Sequence, residues 1–260
     1  MKKCPICELN YIDDNQFVCK ICYRNQPART YANNELQLLK QHEERNKKMK
    51  ILEYKSFLLE IFYSYGFEGF LHTANLSNFI SIFNSGFLYS RDELIKQNIP
   101  FEDNAMQEII DSTSYFIKEK TRFYYRPITP TNVSAYKYYK QKHPVIMVFN
   151  PDLIFDDDTC FCNGCARAID TDITKDPQAA IQFNWDSIFD TTPLSQIQDN
   201  DNNANYPNHD RNAEFLYPNK VSTDKIIKIY FKTKSDMDYA ISQLGNDSRF
   251  VLDCSKFYGD

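Results

Sequence analysis

From Asn33 to about Tyr65 apolar residues recur at Leu36, Leu39, Met49, Leu52 and Leu59, a sparse helical period that predicts one long helix with Asn33 or Asn34 as its N-cap. Its middle, Gln41 to Lys50, is dense in charge and reads as a solvated stretch bridging two folded units. A basic surface that meets phosphate is the sharper reading of the same residues. His42 falls in this stretch as a surface residue. The pattern then changes. A segment opening at His72 ends in Ile80-Ser81-Ile82-Phe83-Asn84-Ser85-Gly86, apolar at helical spacing and closed by a glycine at C′. Runs at Arg122–Arg126, Val145–Asn150, Phe215–Tyr217 and Ile226–Lys232 predict strands. Asp199–Arg211, almost all Asp and Asn, predicts a loop that delivers the chain to Ala213-Glu214-Phe215. The organisation expected is a small module over 1–28, a connecting helix over 29–65 and a main domain over 66–260, with no internal repeat.

Composition narrows the chemistry. At 260 residues and 42% hydrophobic content the chain can bury one full core plus a small appendage. Phe and Tyr number 20 and 18 against only 6 Gly, which favours strands and aromatic surfaces over glycine-rich phosphate loops. Neither G-x-x-x-x-G-K-[ST] nor G-x-G-x-x-G occurs, which argues against a P-loop and against a doubly wound dinucleotide fold. The net charge of -5 argues against nucleic-acid binding by bulk positive field alone. The average hides a gradient. Bases exceed acids by about four from Met1 to Lys50, whereas acids exceed bases by about ten from Asp152 to Glu214. A polyanion is therefore expected to meet the N-terminal end or a local groove. No apolar leader or membrane-length run is present, so a cytoplasmic protein with reduced thiols and no membrane association is expected.

In that setting the eight cysteines read as ligands, core residues or free thiols. Cys4-Pro5-Ile6-Cys7 and Cys19-Lys20-Ile21-Cys22 form C-x2-C twice, about a dozen residues apart, which lets two knuckles bring four thiolates to the corners of a tetrahedron. Structural zinc is the expectation for Cys4, Cys7, Cys19 and Cys22, and a closed four-sulfur site leaves no open position for catalysis. Cys160, Cys162 and Cys165 lack a nearby fourth ligand, with His209 and Cys254 only distant candidates, and read as buried thiols. Glu214 is a carboxylate inside the apolar run Ala213–Tyr217; from the residues alone it reads as an exposed strand glutamate or an active-site acid.

Four ordered blocks shift that balance, because together they resemble the DarT family, toxins that ADP-ribosylate bases of nucleic acid. Leu71-His72-Thr73, Asn78-Phe79, Ile82-Phe83 and Gly86-Phe87-Leu88, continued by Ser90-Arg91, are similar to the family's first block. Phe123-Tyr124-Tyr125-Arg126-Pro127-Ile128-Thr129-Pro130 resembles its aromatic strand followed by Pro-x-x-Pro. Phe161-Cys162-Asn163-Gly164-Cys165-Ala166 with Thr171 and Phe183-Asn184-Trp185 forms the third block, and Arg211-Asn212-Ala213-Glu214-Phe215-Leu216 the fourth.

The resemblance implies an α+β, ADP-ribosyltransferase-like split antiparallel β-sandwich with helices, holding NAD as co-substrate. It implies Glu214 as the catalytic carboxylate, stabilising positive charge on the ribose as the nicotinamide bond breaks. His72, Thr73, Asn78, Arg91, Tyr124 and Tyr125 become the candidate NAD contacts, with one tyrosine facing the cleft and the other in the core. Asn78 has a helix cap as its bland alternative, and Arg91 a surface ion pair. The stretches Gln107-Glu108-Ile109-Ile110-Asp111 and Thr131-Asn132-Val133-Ser134 depart from the family's pattern where it meets its target. The modified base, thymidine, guanosine or one in RNA, is thereby left open. Single-stranded DNA or RNA is the expected partner, together with an antitoxin that removes ADP-ribose or blocks the site. A protein ADP-ribosyltransferase and a non-catalytic zinc-ribbon adaptor are the alternatives.

Overall fold

The computed structural model describes residues 1–102, 107–138, 142–193 and 209–258, and the expected loop at Asp199–Arg211 lies mostly outside them. Two compact units divide the chain after Glu53. In the first, β1 (Lys2–Lys3) pairs antiparallel with β2 (Tyr11–Ile12), followed by α1 (Lys20–Tyr23) and the start of α2 (Gln26–Ser64). Its clustered interior is Cys4, Ile12, Val18, Cys19 and Ala32, with Cys7, Phe17 and Cys22 packed alongside. So small an apolar set does not hold a fold by itself. The long helix begins at Gln26 and not at the expected cap, Asn33 or Asn34. Pro27 suits a first helical turn, and Ala28 and Ala32, one turn apart, are both buried, so the helix starts where it can lean on the cysteine module.

The second unit takes the C-terminal turns of α2, whose Leu58 and Phe62 are fully buried in its core. That end is thus part of the domain and not a free connector. Its strands are β3 (Phe70–Asn75), β4 (Phe87–Tyr89), β5 (Lys120–Tyr124), β6 (Pro144–Phe149), β7 (Cys160–Cys162), β8 (Ile173–Thr174), β9 (Glu214–Pro218), β10 (Lys220–Ser222), β11 (Ile226–Phe231) and β12 (Phe250–Leu252). Its helices are α3 (Leu76–Ser85), α4 (Arg91–Lys96), α5 (Gln107–Ser112), α6 (Tyr115–Lys118), α7 (Pro130–Tyr138), α8 (Pro177–Ala180), α9 (Trp185–Phe189) and α10 (Lys234–Leu244). The main sheet runs β12-β11-β6-β3-β5-β9-β7-β8, antiparallel except where β11 meets β12, and β4 pairs with β10 beside it.

The sheet is split at its centre. β3 pairs with β6 over six residues and β5 with β9 over five, yet β3 and β5 meet only at Leu71 and Tyr124. Beyond that bridge the two halves diverge, and backbone groups at the edge must find other partners. The face carrying Phe70, Phe123, Phe149 and Phe215 forms the main core, with the Phe70 and Phe215 rings stacked 3.9 Å apart. α3 follows β3 immediately because Asn75 accepts from the Asn78 amide as an N-cap, and Gly86 ends it in the left-handed conformation at φ 76°.

Candidate active site

Just past that bridge, on the β3 side of the split, a cleft of about 280 Å³ is lined from β3 by His72, Thr73 and Ala74, from α3 by Asn78, Ser81, Ile82 and Ser85, and beyond it by Phe87, Tyr89, Arg91 and Phe101. Four of the expected NAD contacts, His72, Thr73, Asn78 and Arg91, thus line one cavity although they span twenty residues of sequence. Asn78 is not the helix cap; its amide clasps the backbone of Glu102, donating to the carbonyl at 2.7 Å and accepting from the N–H at 2.9 Å. Asn75 takes the capping role and also bonds the Glu102 carboxylate at 2.7 Å. Arg91 opens α4, with its guanidinium 5.8 Å from the Phe101 ring.

His72 sits where β3 leaves β5. Its Nδ1 lies 3.0 Å from the Arg122 carbonyl, which can only accept, so Nδ1 carries the proton and Nε2 keeps a free lone pair. Burial holds the ring below the usual imidazole range and the nearby Arg122 charge adds to this, against the opposing pull of the carbonyl bond. Neutral His72 can therefore accept a hydroxyl proton from a ribose. If so, KM for NAD stays level as pH falls through 6.5, the ordinary imidazole value. A rise in KM centred there, seen in steady-state kinetics, would show an unperturbed ring.

Glu214 starts β9 and is 1% exposed. Arg122, one strand away on β5, holds its Oε1 through Nη2 at 2.5 Å and Nε at 3.1 Å, and the Ala166 N–H donates to Oε2 at 2.8 Å. A buried carboxylate held by three donors cannot rotate freely. Arg122 in turn is held charged by Glu214 against the cost of burial. Tyr124 stands opposite Glu214 in register, and burial, then the Glu214 charge, keep its phenol protonated well above the usual range. Glu214 does not itself line the 280 Å³ cavity; it is linked to the wall through Arg122, whose carbonyl holds His72 and whose side chain is 34% exposed.

Of the two β5 tyrosines expected to divide between cleft and core, Tyr125 is the core one and drops out of the candidate NAD contacts: it is 2% exposed and its ring packs 5.3 Å from Phe62 and 5.2 Å from Trp185, because alternation along β5 turns it inward when Tyr124 faces the other way. Arg122 was overlooked, since a strand arginine reads as solvent-facing until its partner across the ladder is known. Cys160 and Cys162 are buried with Ile117, Ala166 and Leu216, and the sole four-residue metal grouping among the described residues is elsewhere.

The loop that presents Ala166 is braced from behind. Thr171 Oγ1 donates to the Cys165 carbonyl at 2.7 Å, His209 Nε2 meets that hydroxyl at 2.9 Å, and Asp210 takes the other ring nitrogen at 3.1 Å. Gly164 lies flat against this ring; a Cβ there would be 2.1 Å from His209 Cε1. Gly164→Ala must displace the imidazole and with it the Ala166 amide, so kcat is expected to fall about tenfold or more while thermal unfolding stays cooperative. Equal kcat in the variant would show that the brace does not matter.

In the first unit the Sγ atoms of Cys4, Cys7, Cys19 and Cys22 lie within 4.8 Å of one another. The Cys7 to Cys19 separation, 3.8 Å, is close to the edge of a tetrahedron with metal–sulfur bonds of about 2.3 Å. Although burial would raise the Cys4 thiol, the amides of Cys19, Cys7 and Ile6 bring it down to about 6, and burial raises Cys22 to about 12. N–H groups aimed at sulfur, such as Cys19 N to Cys4 Sγ at 3.3 Å, suit a ligand thiolate.

A family model described as DarT, ssDNA thymidine ADP-ribosyltransferase, matches residues 71–254. The fold is similar to Thermus sp. 2.9 DarT solved with carba-NAD+, at TM-score 0.57 and 12% identity over 73% of this chain and 97% of that one. The same Thermus protein with ADP-ribosylated ssDNA gives TM-score 0.58 and 13% identity over 73% and 95%. Thermosipho africanus DarTG with ADP-ribose gives 0.60 and 17% over 74% of this chain and 51% of that chain. No curated protein sequence matches significantly. Fold and family match together define an NAD-dependent nucleic-acid ADP-ribosyltransferase. The chain belongs to the DarT family.

Proposed function

We propose that the protein transfers ADP-ribose from NAD to a thymine base of single-stranded DNA, with Glu214 as the catalytic carboxylate. The observation that carries this is the clamped geometry of Glu214, buried and fixed by Arg122 and the Ala166 amide beside the split. A fixed negative charge in a water-poor site stabilises the positive charge that grows on the ribose as the bond to nicotinamide breaks. The same carboxylate accepts or orients the proton lost from the base nitrogen as the new glycosidic bond forms. His72, Thr73, Asn78 and Arg91 are the proposed NAD contacts, and Tyr124 the stacking or hydrogen-bonding group nearest the reacting centre. The four N-terminal cysteines would hold one zinc ion, which stabilises the module and takes no part in transfer.

The cellular role we assign is that of a cytoplasmic toxin opposed by an antitoxin, by analogy with the DarTG relative. No helix among the described residues is long and apolar enough to cross a membrane. The test is mass spectrometry of nucleosides released after incubation with NAD and single-stranded DNA, RNA or protein in separate reactions. ADP-ribosylated thymidine from the DNA reaction is the expected product. Adduct on RNA or protein alone would overturn the assignment.

A further inference from the structure

The N-terminal unit lies outside the matched family region, which starts at residue 71, and the acidic bias of Asp152–Glu214 gives the catalytic unit little long-range pull on a polyanion. Within the first unit a groove of about 430 Å³ is lined by Gln16, Phe17, Lys20, Tyr23, Arg24 and Leu36, among others. Two features single it out. Every charged residue in its lining, Lys20 and Arg24, is a cation, although the unit as a whole also carries Glu8, Asp13, Asp14, Glu35, Glu43, Glu44 and Glu53. The same groove carries aromatic surface: Tyr23 is 44% exposed, Phe17 is partly buried, and the Arg29 guanidinium lies over the Tyr23 ring at 5.5 Å from its centroid.

We propose that this groove is a second binding site for the DNA substrate, in which Tyr23 stacks on an unpaired base while Lys20 and Arg24 hold the phosphates on either side of it. The inference rests on the reading of the catalytic unit as a transferase acting on single-stranded DNA. The chemistry fits single strands better than duplex, because only unstacked bases offer a face to an aromatic ring. Its place on a short element beside the cysteine cluster makes the ring a fixed platform: α1 is the segment Lys20–Tyr23, capped at its start by Cys19 and carrying Cys22 within it. Tyr23 thus follows a candidate metal ligand directly, so its backbone loses little entropy when a base docks. The site supplies affinity and not chemistry. It raises the local concentration of target base for the catalytic unit, as a second linked binding module does.

The test uses the full-length protein and a fluorescein-labelled single-stranded DNA, with Kd read by anisotropy at several salt concentrations and without NAD. The Lys20→Glu, Arg24→Glu double variant is expected to bind about tenfold more weakly, and the slope of log K against log salt to fall in magnitude by about 1.4 for two lost phosphate contacts. Tyr23→Ala is expected to weaken binding about tenfold with the salt slope unchanged, since stacking releases no counterions. All three changes are on exposed positions, and unaltered zinc content shows that the module still folds. In turnover, KM for DNA rises in both variants while kcat and KM for NAD hold. Wild-type Kd and slope in both variants would overturn the second site. That outcome is distinct from failure of the transferase reading, which appears as wild-type protein placing no ADP-ribose on the DNA.

Discussion

Glu214→Gln is expected to lower ADP-ribose transfer about 10³-fold or more, with the overall fold retained. The amide keeps the volume of the carboxylate but not its charge, and charge is what the developing cation on the ribose requires. The variant carries a second, smaller cost. Glu214 receives donors from three groups, Arg122 Nη2, Arg122 Nε and Ala166 N, and an amide offers only one acceptor oxygen. At least one donor is then left facing an NH₂ group, a loss of about 1–3 kcal/mol. For a domain of this size that is a fall of roughly several degrees in Tm. The chemical and structural parts separate cleanly, since the first is read as transfer of labelled ADP-ribose below the melting transition and the second by calorimetry. A variant that keeps wild-type transfer would remove the carboxylate from the reaction, whatever its Tm.

Cys19→Ser is expected to abolish zinc binding and unfold the N-terminal module while leaving the melting transition of residues 54–260 in place. Cys19 is the hub of the cluster: its Sγ accepts from the Cys22 amide at 3.4 Å and from Asn10 Nδ2 at 3.4 Å, and its own amide bonds Cys4 Sγ at 3.3 Å. With a clustered interior of five buried residues the module has little apolar area to offset chain entropy, and a zinc ion held by the four thiolates would supply roughly 10–16 kcal/mol. Limited proteolysis should cut the variant N-terminal to about residue 53, and metal analysis should fall from one zinc per chain to none. Retention of zinc at full occupancy with unchanged protection would exclude the four-thiolate site.

Much of the fold was legible because local rules governed it. The run ending in Gly86 became a helix with that glycine as its left-handed cap, and the strands expected at Val145–Asn150 and Ile226–Lys232 became β6 and β11 to within a residue. α2 starts several residues before the predicted cap, since its first turns are held by burial of Ala28 and Ala32 and by Pro27, none of which shows as an apolar stripe. Which tyrosine would enter the core was open, because period-two alternation says that neighbours diverge and not which of them faces inward.

The chain alone determined its cysteine spacing, its apolar periods and the blocks that include His72 and Glu214, all properties of short stretches whose meaning survives without neighbours. Tertiary structure decided what those residues touch. The split between β3 and β5, the clamp of Arg122 and Ala166 on Glu214 and the support of His209 behind Gly164 join positions 40 or more residues apart. Contacts of that kind arise from strand order and register, which are set by how the whole sheet buries its phenylalanine face, and no local pattern encodes them.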